Sequence, residues 1–562
     1  MIMNLNSSVW TLLLVYVSFA LCVTEFSPTV EIHQGRLRGV VKNDRKGGKF
    51  YSFLSVPYAR KPVGNLRFMI PAWAEKWEGL LDAVSDLPMC LQHDLERNII
   101  GQEDCLYLNV HTAELEAKDL KPVMVYIHGG GFAEGSGQDD LYGAEFLLPE
   151  GVVLVTINYR LGLFGFLNFE NPEVGAFGNM GLKDQNMALR WVQRNIEKFG
   201  GNPKSVTIFG QSAGGASVHM HLLSPMSKGL FHRAIAQSGS ALNAWSCNGQ
   251  RDTGALVAKT LGFDGDSEMK MLPFLQSVSI EDILRIQENV TLFVPVHDLA
   301  LASPVVETID NEISFLPEHP EEIISAKGFQ EVPFMIGYTD AEAIILDVEA
   351  LLRTGNMGKL LTGSALLHTL NAKDEKTKEE ITNQINSFYY GDLASTDRSK
   401  VYNLVGDAWV YWGAYNSLLA HSKMSHKDLY FYIFAADTEL NYYKRLHPIT
   451  SKYAGASHID ELGYLFKTKY TPPEINPDSV EAKSIEKVVK LWTNFAKYGN
   501  PTPKQEDFDI IWKPVIGDEL NYLHIGTHDL KLGSNPYPER MAFWDRLHEE
   551  FTAKKLNLHT EL

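Results

Sequence analysis

One serine in this chain is set up to act as a nucleophile. Ser212 lies in "FGQSAGG", between Gly210 and Gly214, after the apolar run Ser205–Phe209 and before a helix-forming stretch. A serine hydroxyl attacks poorly at neutral pH unless a base reaches its proton and the backbone presents it. A sharp strand-to-helix turn does the presenting, and it brings strand and helix so close that both flanking positions require glycine. The pentapeptide alone is a weak signal, and the strand–turn–helix setting makes it a strong one. Attack on an acyl carbon puts negative charge on oxygen, which needs fixed donors. The run "KPVMVYIHGGGF" ends its strand in three glycines whose N–H groups no side chain shields. Gly130 and Gly131, with the N–H of Ala213 at the following helix start, are the expected oxyanion donors.

A serine of this kind needs a base and an acid that orients the base. The loop after the strand Val332–Gly337, "VPFMIGYTDAEA", offers Asp340 and Glu342. Among 18 histidines, His219 and His221 have the spacing of a metal pair. They fall on the helix after Ser212 without acidic or cysteine partners and read as packing residues, so no metal and no cofactor is expected.

The positioning elements follow from the apolar pattern. "GVVLVTINYR" (Gly151–Arg160) is a continuous apolar run, as a parallel strand covered on both faces requires. An amphipathic helix follows from Leu182 to about Phe199, stopped by Gly200 and Gly201. "SVTIF", "RAIAQSG" and "VPFMIG" repeat the strand pattern. Strand and helix in alternation give an α/β chain with a large, mostly parallel sheet flanked by helices on both faces. The chain has 562 residues, 45% hydrophobic and 21% charged, with no linker or repeat, which fits one large domain. A net charge of -18 argues against nucleic acid, which asks for a basic face.

Val9–Val23 is uncharged and mostly apolar, long enough for a signal-peptide core but short for a membrane span. Cleavage near residue 22 leaves a domain from 23 to 558. Translocation permits disulfides, and Cys90 with Cys105 closes a short loop, leaving Cys247 as a buried thiol or, alternatively, a partner for another chain. It also makes Asn289, in Asn289-Val290-Thr291, a usable glycosylation acceptor.

Taken together, "FLSVPYARKPVGNLRF", "EDCLYLNVHT", "VYIHGGGF", "GNMGLKDQNMALRWVQRNIEKFGGNP" and "FGQSAGGASV" resemble the type-B carboxylesterases of the α/β-hydrolase fold. That group includes cholinesterases and insect detoxifying esterases. The resemblance implies a triad in the order serine, acid, histidine. It places the acid on Glu342, although Ala343 stands where the family pattern has glycine, and the base on His458 in "GASHIDELGYLF", where Ile459 replaces a common glycine. It implies a serine carboxylesterase acting on small ester substrates through an acyl-enzyme, xenobiotic or lipid esters being the expected class. A juvenile hormone esterase is the alternative, because the "GQSAG" spelling with Gln211 occurs in that group. A non-catalytic adhesion protein of the same fold is a remote third reading. The interval "LQHDLERNIIGQED" has no aromatic residue for a quaternary ammonium, which argues against choline esters. The tail His559-Thr560-Glu561-Leu562 resembles the His-x-Glu-Leu endings of endoplasmic-reticulum carboxylesterases, so luminal retention is expected, with secretion as the alternative. The oligomeric state is left open.

Overall fold

The computed structural model describes residues 25–558 apart from Leu87, Gln250, 294–302, Asp310, 358–369, 371–373 and 392–396. The expected signal segment, the Asn289 side chain and the tail His559–Leu562 lie outside the described residues.

An 11-stranded sheet organises the chain. Its strands, in chain order, are β1 (Val40–Asn43), β2 (Lys49–Pro57), β3 (Tyr107–Thr112), β4 (Lys121–Ile127), β5 (Val153–Ile157), β6 (Gly201–Gln211), β7 (Arg233–Gln237), β8 (Phe334–Thr339), β9 (Leu429–Ala435), β10 (Asn521–Gly526) and β11 (Leu530–Ser534). Across the sheet they run β11-β10-β9-β8-β7-β6-β4-β5-β3-β2-β1. From β5 through β4 and on to β10 every neighbouring pair is parallel, and both margins are antiparallel. The central strands are the continuous apolar runs of the sequence, because helices cover both of their faces.

On one face, Ile127, Ile208, Ala236 and Ile336 pack against α1 (Met180–Asn195), α2 (Ala213–Leu223) and α3 (Trp412–Met424). On the other, Phe209, Ile235, Met335 and Tyr432 pack against α4 (Val480–Tyr498) through Val489, Trp492 and Phe495. The alternation of Ile208 with Phe209, and of Ala234 with Ile235, is the period-two rule of a strand written out in two cores. The helix expected from Leu182 to Phe199 starts at Met180, after Asn179 with φ 58°, and tightens to a 3₁₀ turn over Ile196–Phe199 before Gly200.

Cys90 and Cys105 form a disulfide, and Cys247 keeps a free thiol that burial pushes up to about 12. No described helix is long and apolar enough to cross a membrane.

Candidate active site

Strands β4 and β6 lie side by side, with Ile127 opposite Gly210, and both end at the same edge of the sheet. Here β6 turns into α2 at Ser212, which has φ 58° and ψ −123°. A non-glycine residue in that region carries about 1–3 kcal/mol of strain and persists only where its surroundings over-determine it. The surroundings do so. The Ser212 N–H donates to Gln237 O at 2.8 Å, and Ser212 O accepts from Ala216 N–H at 2.9 Å. A Cβ on Gly214 would stand 2.0 Å from Ile127 O, and one on Gly210 would stand 2.6 Å from the Gly214 carbonyl. These contacts are the physical reason for the two glycines. Ser212 is partly exposed, while the α2 residues behind it are buried.

The glycine loop follows β4. Gly130 has φ 103° and Gly131 φ 58°, and Gly130 O accepts from the N–H groups of Ala133 and Glu134 at 2.9 and 3.0 Å. A Cβ on Gly129 would meet Gln211 O at 2.6 Å, so this loop lies directly against the Ser212 turn. His128 anchors its start, its Nδ1–H donating to Gly129 O at 2.8 Å while the ring stacks on Tyr159. Burial lowers this imidazole to about 4, so it is neutral at pH 7.

β8 ends at Thr339, and the next turn carries both candidate acids. They do different things. Asp340 accepts from the Ala456 N–H at 2.7 Å and so ties down the loop that precedes His458. Burial raises it to about 6. Glu342 is fully buried and pairs with His458 Nδ1 through Oε2. Its Oε1 accepts from Ser238 Oγ–H at 2.6 Å and from the Thr339 N–H at 2.8 Å. A second tie joins the same residues, the His458 N–H donating to Glu342 O at 3.3 Å. His458 stacks on Trp409, ring centroids 5.6 Å apart. Ile459 adopts φ 82°, an uncommon place for a β-branched side chain and the reason glycine suits this position.

The structure thus joins Glu342 to His458, and through Gln237 and Ser238 links the anchor of Ser212 to the anchor of Glu342. His219 lies elsewhere, its Nε2 paired with His421 Nε2 at 2.9 Å, and His221 pairs with Ser227 and Gln185. Sequence reading missed Ser238, although "RAIAQSG" put it at the end of a recognised strand.

A histidine paired with a buried carboxylate, a serine on a strained turn and a glycine loop packed against that turn can carry out acyl transfer. The match to known proteins agrees. The model of the carboxylesterase family fits residues 26–544, and the chain belongs to that family. It is 34% identical over 589 residues to juvenile hormone esterase of Tribolium castaneum, covering 95% of this chain and 96% of that protein. It is 33% identical over 532 residues to esterase B1 of Culex pipiens, covering 93% and 98%. The crystal structure of juvenile hormone esterase from Manduca sexta, with OTFP covalently attached, matches at a TM-score of 0.82 and 29% identity, over 93% of this chain and 99% of that one. The fold is that of an α/β-hydrolase, and the protein is a serine carboxylesterase, a carboxylic-ester hydrolase.

Ser238→Ala removes a donor from a fully buried carboxylate. Hydrogen bonds to charged groups contribute about 1.5–3 kcal/mol, and the variant should lose stability in that range, read from its denaturant unfolding midpoint. A midpoint equal to wild type would mean that Glu342 does not depend on this contact.

Proposed function

We propose that Ser212 is the nucleophile, His458 the general base and Glu342 the acid that orients it, with the N–H groups of Gly130, Gly131 and Ala213 receiving the oxyanion. The observation that carries this reading is the buried Glu342–His458 pair, anchored by Ser238 one residue from the Gln237 carbonyl that fixes Ser212. As Ser212 Oγ bonds to the acyl carbon, His458 takes its proton, and Glu342 stabilises the imidazolium that forms. The ester C–O bond then breaks, and the proton passes to the departing alcohol oxygen. Water repeats both steps on the acyl-enzyme, releasing the acid and restoring the serine. These steps need no group beyond the chain's own residues and water.

The substrates in this reading are uncharged carboxylic esters of the xenobiotic or lipid kind. Gln211 supports it by placing a neutral amide beside the nucleophile. The second reading, hydrolysis of a juvenile hormone ester, draws on the same glutamine and on the similarity to two insect juvenile hormone esterases. The chain is further read as a secretory-pathway protein, with residues 1–22 as signal peptide, 23–558 as the esterase domain, Asn289 as a glycan acceptor and 559–562 as a signal for retention in the endoplasmic reticulum.

Ser212→Ala should keep the fold and lower kcat on the order of 10⁴-fold or more. An organophosphate should inactivate the wild type at one equivalent per chain, with the adduct on the Ser212 peptide by mass spectrometry. Residual activity near wild type, or an adduct elsewhere, overturns the assignment.

Across a panel of naphthyl, nitrophenyl and long-chain esters together with a juvenile hormone, kcat/KM should spread broadly. A preference for the hormone of about 100-fold or more, some 2.7 kcal/mol at the transition state, would instead establish the hormone esterase.

Full-length protein expressed in cells should stay inside, and protein lacking 559–562 should reach the medium. Equal secretion of both forms removes the retention signal from the account.

A further inference from the structure

The floor beneath the Ser212 turn is polar where an apolar core is the simpler choice. Gln211 and Gln237 are register partners on β6 and β7, so their side chains leave the same face of the sheet. The register continues through Gly337 to Tyr432, and a Cβ on Gly337 would stand 2.3 Å from the Tyr432 ring. From the helix above, the Trp492 indole N–H donates to Gln237 Oε1 at 3.2 Å. The Gln237 amide in turn donates to Glu461 Oε1 at 3.3 Å. Glu461 is fully buried, and Gln211 nearly so.

Three side-chain atoms here have no hydrogen-bond partner among the described protein groups: Gln211 Nε2, the Tyr432 hydroxyl and Glu461 Oε2. Buried polar atoms without partners are rare enough that each needs a reason. An ionised carboxylate with an unserved oxygen is the costliest arrangement of all, whereas protonation reduces the cost to that of a neutral hydroxyl. The ionisable groups that face Glu461 are the carboxyls of Glu342 and Asp460 and the phenols of Tyr126, Tyr432 and Tyr442. Burial, then the charge of Glu342, pushes Glu461 up to about 8.

Resting on the triad reading above, we propose that Glu461 is a positioning residue kept protonated, which braces Gln237 and adds no further negative charge beside Glu342. Gln237 is the right residue to brace. Its carbonyl fixes the Ser212 N–H, and the next residue supplies the hydroxyl that holds Glu342. Gln211 belongs to the same arrangement, since a neutral amide there adds no charge to the chamber. A second negative charge would favour the imidazolium and withhold the free base until higher pH.

The test is the acidic limb of kcat/KM against pH for an uncharged ester, with active sites counted by organophosphate titration so that misfolded enzyme drops out. Glu461→Gln removes no charge from a protonated carboxyl, so the midpoint of the limb should stay at its wild-type pH. Gln211→Glu adds a charge and should raise the midpoint by about one unit. A lower midpoint for Glu461→Gln means that Glu461 is ionised in the working enzyme and overturns the proposal. So does an unmoved midpoint for Gln211→Glu. Infrared difference spectra of wild type minus Glu461→Gln give an independent readout, because at pH 6 the difference should hold a positive protonated-carboxyl stretch contributed by Glu461. The absence of that band is equally fatal. An organophosphate adduct away from Ser212 would sink the triad reading instead, and the infrared band would still report the state of Glu461.

Discussion

The Glu342 carboxylate has no exposed surface, so protein donors must meet both of its oxygens. Much of the catalytic edge of the molecule can be read as the solution to that demand. Ser238 and the Thr339 amide take one oxygen, and His458 takes the other. Ser238 comes from the end of β7 and Thr339 from the end of β8, so two neighbouring parallel strands must finish level with each other. His458 comes from a loop more than a hundred residues further on, and Asp340 secures that loop by holding the Ala456 amide. A carboxylate in water would need none of this. Buried, it fixes its histidine in one orientation and is worth far more to an imidazolium than a solvated one.

The same economy governs the Ser212 turn. Ser212 occupies a strained backbone region because β4, β6 and α2 approach too closely for any Cβ at Gly210 or Gly214. The strain is local, whereas the packing that holds it extends through both cores of an 11-stranded sheet. Loop residues on a rigid edge of this kind are the usual place for chemistry in parallel α/β sheets.

How much of this could be read in the sequence depended on whether residue type alone carried the constraint. The central strands were legible as unbroken apolar runs because both faces are buried. The edge strands were not: β1 and β11 carry charged or half-exposed residues such as Lys42 and Lys531, and take their place from pairing rather than pattern. The glycines around Ser212 were legible because only glycine satisfies the contacts there. Asp340 and Glu342 could not be told apart by residue type, as both are buried acids on one turn. The family resemblance favoured Glu342, and the geometry shows that it meets the histidine while Asp340 meets a backbone amide. Ser238 and Glu461 were invisible as site residues, because their partners lie 104 and 224 residues away along the chain. Ile459 was noticed only as a departure from a common glycine, and its φ of 82° gives that departure a physical meaning.

The account stands on Ser212, Glu342 and His458 acting as one unit, and a double-mutant cycle on kcat measures this most directly. If they form one relay, the double variant Ser212→Ala/His458→Ala should turn over no more slowly than Ser212→Ala alone, because the second change removes a function already lost. Losses that multiply would show the two residues acting independently and would contradict the triad.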